Sequence, residues 1–255
     1  MKSVTKMIIL LTTICLIMAS PLPLSAQQQA GGQIGEPGFA VLELFTSEGC
    51  SSCPPAEELL EQIDNAAINK PIYALAFHVD YWDRQGWKDT FSDHRYSNRQ
   101  YQYSHLFSGQ VYTPQLIING KWEGIGSDRS YVTDGIRKAL SSSTGSTLSI
   151  GVKQTGSNAV LHYQIEGGKK SAELVVAVVQ KHAISHVLRG ENKGRTLSHS
   201  GIVRGLEHFS IDPHKEGNIL FSLPKGFNKE GWDIVSFLQD PKTGQISAAD
   251  RASIR

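Results

Sequence analysis

Residues Val41 to Ala56 read V-L-E-L-F-T-S-E-G-C-S-S-C-P-P-A, and no other stretch narrows the possible folds as much. An apolar run with the character of a buried strand leads directly into Cys50 and Cys53, and a helical pattern follows at once. A strand, a Cys-x-x-Cys and a helix in that order place two sulfurs at a helix N-terminus. There the free N–H groups and the helix dipole favour a thiolate. The spacing also lets the second thiol close a small ring onto the first. This is the arrangement that thiol–disulfide exchange requires.

The remaining cysteine, Cys15, lies in a segment with the form of a secretory signal. Lys2 and Lys6 make a positive start, Met7 to Met18 is apolar, Pro21 and Pro23 break the run, and Ser25-Ala26 offers small residues for cleavage. The apolar run is too short to span a bilayer comfortably. The expectation is a signal peptide over 1–26, a mature start near Gln27, a periplasmic or secreted location and no stable membrane insertion after cleavage. Loss of Lys2 and Lys6 from 25 Lys+Arg leaves 23 against 24 Asp+Glu. Such a balance argues against nucleic acid or an anionic membrane surface as partner. Cys50 and Cys53 are then the only cysteines. A bridge between them closes a tiny loop and removes little chain entropy, so this is not a disulfide-stapled scaffold. A single Cys-x-x-Cys also lacks two ligands for a structural zinc site.

A polar, Gly- and Gln-rich linker is expected over 27–38. Beyond it, Val41–Thr46 reads as a buried strand and Ile72–Val79 as a parallel strand covered on both faces, and the helical spacing of Ala56, Leu59, Leu60, Ile63 and Ala67 makes a βαβ unit with them. A polar loop studded with Tyr81, Trp82 and Trp87 follows, then a helix over Asp93–Phe107. Leu116–Ile118, a turn at Asn119-Gly120 and a return strand from Trp122 form a hairpin, and a last helix carries Tyr131, Val132, Ile136, Ala139 and Leu140 inward. The Ser/Thr/Gly stretch Ser141–Ser146 reads as a domain boundary. After it the pattern alternates with period two at Leu148, Ile150, Val152 and at Leu161, Tyr163, Ile165, which predicts a β-sandwich-like domain over 147–255.

Residues 39–142 resemble thioredoxin in their order of elements: a βαβ unit ending its first strand in Cys-x-x-Cys, an inserted helix, then ββα. Over nearly the whole mature chain, E-L-F-T-S-E-G-C-S-S-C-P-P-A, F-H-V-D-Y-W-D, G-W-K-D, Y-T-P-Q and G-R-T-L-S-H are similar to the motifs of a family of secreted bacterial thioredoxin-like proteins catalogued as a domain of unknown function. The resemblance implies an α/β thioredoxin-like domain over 39–142 and a redox role. It makes Cys50 the nucleophile and Cys53 the resolving thiol, and it implies a cis bond at Thr113-Pro114 with the Thr113 backbone beside Cys50 as a rest for extended peptide. Thioredoxins carry a buried acid near the place of Glu43, one residue nearer the cysteines, so Glu43 is offered as a proton relay. The dipeptide Ser51-Ser52 departs from the Gly-Pro of thioredoxin, so no redox potential carries over.

Each of these readings has a plainer rival. The disulfide could be inert, and Glu43 could be salt-bridged. Tyr81, Trp82 and Trp87 could wall a substrate groove or form a small core. Glu48, if near, opposes a thiolate at Cys50. His78, Asp80 and Asp83 end a long strand, where ligand sites gather in open α/β sheets, but they could simply brace the loop. His182, His186 and His199 lack a metal-ligand spacing, and Glu191–Arg195 with Arg204 reads as a polar loop without a role. The expected function is thiol–disulfide exchange on exported proteins bearing thiols or disulfides, with an unidentified redox partner and neither metal nor organic cofactor. The alternative is a binding module that keeps the disulfide as structure.

Overall fold

The computed structural model describes residues 38–107, 109–168, 171–211 and 215–254. The expected signal peptide, 1–26, and linker residues 27–37 lie outside the described residues. Two strands enter first: β1, Ala40–Thr46, and β2, Ile72–His78, run parallel, and every residue in both is buried. That burial on both faces is why each reads as an unbroken apolar run. Between them lies α1, Pro54–Ala66, with Pro54 and Pro55 in its first turn, where a missing N–H costs little. A 3-10 turn at Tyr81–Gln85 leads to α2, His94–Leu106, whose N-cap Asp93 accepts from the Arg95 N–H.

β3, Gln115–Ile118, pairs antiparallel with β1 and with β4, Trp122–Ile125. The hairpin turns through Asn119 and Gly120 at φ 51° and 60°. This left-handed conformation suits Asn and Gly. α3, Arg129–Leu140, completes the first half.

The second half is all strand: β5 Ser146–Thr155, β6 Asn158–Gly167, β7 Glu173–His186, β8 Thr196–Ser210, β9 Glu216–Ser222, β10 Trp232–Gln239 and β11 Ile246–Ala252. Its strands do not stand apart. One mixed sheet of eight runs β11-β10-β7-β8-β2-β1-β3-β4, and β5-β6-β9 make a second sheet of three. Residues 35–255 fall in one compact unit. The expected boundary at 141–146 is therefore corrected to a turn between α3 and β5. The join is a short parallel contact of β2 with β8 at Ala76 and Ile202. Gly201 permits it: its φ is +64°, and a Cβ there would lie 2.6 Å from the Ala74 carbonyl oxygen.

The join answers a burial problem. Leu75 and Phe77 on β2 need cover, and so do the apolar residues of β7 on both faces. Val175, Ala177 and Val179 of β7 share one core with Val41, Phe45, Leu75, Phe77 and the α2 tyrosines Tyr96 and Tyr103. The alternate residues Leu174, Val176 and Val178 pack with Leu161, Tyr163 and Phe221 of the small sheet. The two sheets do face each other, but the larger one is built from both halves. On the other face of β1, Leu42 and Leu44 pack with Ala56, Leu59 and Leu60 of α1 and Val132 and Ile136 of α3. Among the described residues no helix is long and apolar enough to cross a membrane.

Candidate functional site

After β1 the chain turns through Ser47–Cys50, with the Cys50 N–H donating to the Ser47 carbonyl at 3.1 Å. Cys53 is the N-cap of α1, and Cys50 and Cys53 are joined by a disulfide with Cα atoms 5.4 Å apart. The Thr113-Pro114 bond is cis. Ser52 ties this loop to the motif: its Oγ lies 3.3 Å from Cys50 Sγ and donates to the Thr113 carbonyl at 3.4 Å. Trp82 Nε1 donates to Thr113 Oγ1 at 2.9 Å, and Gly49 lies close against Trp82. Trp87 Nε1 donates to Glu48 Oε2 at 2.6 Å. All three aromatics are half-buried; Tyr81 and Trp82 also pack on the main core. Trp82 and Trp87 thus hold the motif's two flanks.

A nucleophilic Cys50 open to partner thiols would present its sulfur to solvent. It does not: Cys50 and Cys53 are both 0% exposed, while Ser51 and Ser52 between them are open. The cover is the loop between β7 and β8. Buried Asn192 donates from Nδ2 to the carbonyls of Glu48 and Cys50, each at 2.9 Å. The Ser51 N–H donates to Glu191 Oε2 at 3.0 Å, and these Ser51 hydrogen bonds hold the Glu191 carboxyl below its usual range. Arg195 fixes the Asn192 amide from behind at 2.9 Å. The polar loop Glu191–Arg195, which had no role in sequence, is a clamp on the motif.

Behind the motif lies a buried set of acids and imidazoles: Glu48, Glu57, His78, Asp89 and His199, each no more than 5% exposed. Glu57 stands one turn past Cys53 on α1. Its Oε1 accepts from Thr46 Oγ1 at 2.5 Å, and its Oε2 meets His199 Nδ1. His199 Nε2 lies 2.9 Å from Ser185 Oγ and 3.6 Å from Glu48 Oε1. His78 Nδ1 lies 2.7 Å from Asp89 Oδ2, which also accepts the Glu48 N–H at 2.8 Å. For Glu57, Asp89 and His78 burial opposes ionisation, but the pairing outweighs it. Desolvation of Glu57 is overcome by the hydrogen bond and charge of His199, so its pKa is lowered. Asp89 is lowered in the same way, chiefly by His78. Burial works against the His78 cation, yet the charges of Asp89, Glu57 and Glu48 push its pKa up to about 9. Glu57, His78 and His199 each offer a ligand atom, and these three atoms lie within 4.8 Å of one another.

Glu43 is not brought to the cysteines. Side chains alternate along a strand, so Glu43 shares the α2 face with Val41 and Phe45, whereas α1 packs on the face of Leu42 and Leu44. Glu43 Oε2 accepts from Arg99 Nε and its Oε1 from Tyr103 Oη, both at 2.5 Å. Of His78, Asp80 and Asp83, only His78 joins the buried set. Asp80 caps the start of the loop through Ser97 and His94, and Asp83 accepts from the Asp89 N–H and from Ser92. His182 and His186 point elsewhere and are exposed. Sequence reasoning missed Glu57, Asp89 and Asn192. Glu57 passes for an ordinary acid in a first helical turn, and Asn192 sits in a loop 142 residues from Cys50.

A solved structure of protein AGR_C_4864 from Agrobacterium tumefaciens is similar to this chain. It is 25% identical with a TM-score of 0.64, over 85% of this chain and 94% of that one. A domain of the outer membrane lipoprotein Omp28 from Porphyromonas gingivalis overlaps 44% of this chain and 96% of its own, at 13% identity and a TM-score of 0.27, a likeness too slight to bear on the site. No curated protein matches the chain. The model of one family, described as a protein of unknown function, matches residues 41–239, more than half the sequence, and the chain therefore belongs to the DUF1223 family.

Proposed function

We propose that the protein is an exported thiol–disulfide oxidoreductase working through Cys50 and Cys53 on a thioredoxin-like unit. The observation that carries the reading is the Cys50–Cys53 disulfide at the N-terminus of α1, with the Thr113-Pro114 loop against the motif through Ser52. The strand order β2-β1-β3-β4, with β1 parallel to β2 and antiparallel to β3, supports the thioredoxin-like assignment. The signal-like segment 1–26 supports export to the periplasm or beyond.

In the exchange, a partner thiolate attacks one sulfur of the disulfide. A mixed disulfide forms and the other protein sulfur leaves as a thiolate. A second partner thiol then displaces Cys50, so the partner dithiol becomes a disulfide and Cys50 and Cys53 become thiols. Two electrons and two protons pass to the protein. In reverse, Cys50, beside the open Ser51-Ser52 turn, is the nucleophile, and Cys53, the N-cap of α1, resolves. Substrates are exported proteins with thiols or disulfides. Thr113, with Trp82 and Trp87, borders the place where such a chain would lie.

The burial of both cysteines under Asn192 favours a second reading, a binding module whose disulfide is structural. Redox equilibration with glutathione followed by thiol trapping separates the two. A Cys53→Ser variant that accumulates mixed disulfides in the periplasm, and a Cys50→Ser variant that does not, are the results expected of the oxidoreductase. A wild-type disulfide that resists reduction until the protein unfolds, with no adducts in Cys53→Ser, would replace it with the binding module.

A further inference from the structure

We propose that Glu57, His78 and His199 form a binding site for one divalent transition-metal ion of the zinc class, set behind the Cys50–Cys53 disulfide and independent of it. The three donors come from three elements, α1, the end of β2, and β8, and their ligand atoms lie within 4.8 Å of one another at full burial. Two imidazoles and one carboxylate are a donor set for zinc, ferrous iron or cobalt. Calcium and magnesium prefer all-oxygen shells.

Two further observations point to a ligand. His78 Nε2 is buried without a hydrogen-bond partner among the described residues. Its other ring nitrogen is held by Asp89, and Asp89 is locked in turn by the N–H groups of Glu48 and Phe91 at 2.8 Å each. An imidazole oriented through Nδ1 by a fixed carboxylate, with Nε2 left over, is the usual outer support of a metal-bound histidine. Glu48 Oε1 is also buried and unpartnered, and lies 3.6 Å from His199 Nε2. It is a further buried oxygen beside His199. Three carboxylates outnumber the two imidazoles here, so even fully paired the buried set keeps an excess of negative charge, and one divalent ion held by three of these groups would balance it.

Phe91 closes the site, its ring centroid 5.2 Å from that of His199 and 5.2 Å from that of His78. An ion here would bind α1 to β2 and β8, the seam where the two halves of the large sheet meet. It would thereby set the floor on which the Cys-x-x-Cys loop rests. No step of the cysteine chemistry passes through it.

The full chain, stripped with chelator and titrated with Co2+, is expected to take up one ion per chain with d–d absorption bands in the visible. Zn2+ should displace it and raise the thermal midpoint. A Cys50→Ser/Cys53→Ser double variant should bind as the wild type does, which separates this site from the redox reading. His78→Gln and Glu57→Gln should abolish the bands. Asp89→Asn should weaken binding by about 10–100-fold, the cost of losing the carboxylate that orients the His78 ring. Circular dichroism confirms that each variant is folded, and the Zn2+-dependent midpoint of the wild type stands if one is not. Failure of the wild type to bind, uptake that vanishes with the cysteines, or bands that survive both His78→Gln and Glu57→Gln would overturn the proposal.

Discussion

Two buried charge clusters lie on this sheet, and they are built differently. On the α2 face, Glu43 uses both oxygens, one on Arg99 and one on Tyr103, and Gln239 accepts from Arg99 and donates to Tyr103 Oη. Every group there is answered by a neighbour. Behind the disulfide, three carboxylates meet two imidazoles, and both Glu48 Oε1 and His78 Nε2 are left over. A closed, charge-matched cluster holds a core together and can do little else. A buried cluster with unspent donors and acceptors has capacity for a ligand or a proton. Burial and charge alone would rank the two together; the satisfaction of each atom tells them apart.

The largest effect should come from breaking the closed cluster. Arg99→Ala leaves Glu43 buried without its cation, and should cost about 3–5 kcal/mol in urea unfolding while leaving the redox equilibrium of the folded protein unchanged. A shift in that equilibrium would mean the α2 cluster does communicate with the cysteines. Thr46→Val keeps the shape but removes the donor to Glu57 Oε1. Its expected cost is about 1.5–3 kcal/mol, as for hydrogen bonds to charged groups, and unlike Arg99→Ala it should also weaken Co2+ uptake. Asn192→Ala removes two hydrogen bonds from the clamp. It should cost about 1–2 kcal/mol and speed reduction of the disulfide by dithiothreitol in stopped-time trapping. Reduction at the wild-type rate would show that the clamp does not limit access. Glu191→Gln, on the exposed side of the same loop, should leave the unfolding curve in place and accelerate reduction less than Asn192→Ala.

Local pattern carried much of this molecule. The double-faced apolar runs of β1 and β2, the proline start of α1, the Asn119-Gly120 hairpin and the alternating strands after residue 146 are consequences of short-range chemistry, so they can be read without knowing what lies nearby. The placement of Cys50 and Cys53 at the strand–helix junction belongs to the same class. The Ser/Thr/Gly stretch at 141–146 shows the limit of this reading. Its composition marks a loop equally well whether the chain then starts a new domain or returns to the old sheet.

Sequence by itself determined where the sulfurs sit along the chain and which residues of each strand share a face, because those depend on neighbours a few positions away. Tertiary structure alone decided that β8 would lie against β2. An open strand edge and an uncovered apolar face can be satisfied by any strand of matching pattern, and only packing of the whole chain selects one. That choice carried His199 to Glu57, 142 residues away, and set Asn192 over Cys50. The exposure of the cysteines and the membership of the buried cluster follow from these long-range contacts, which have no periodicity and leave no trace in local sequence.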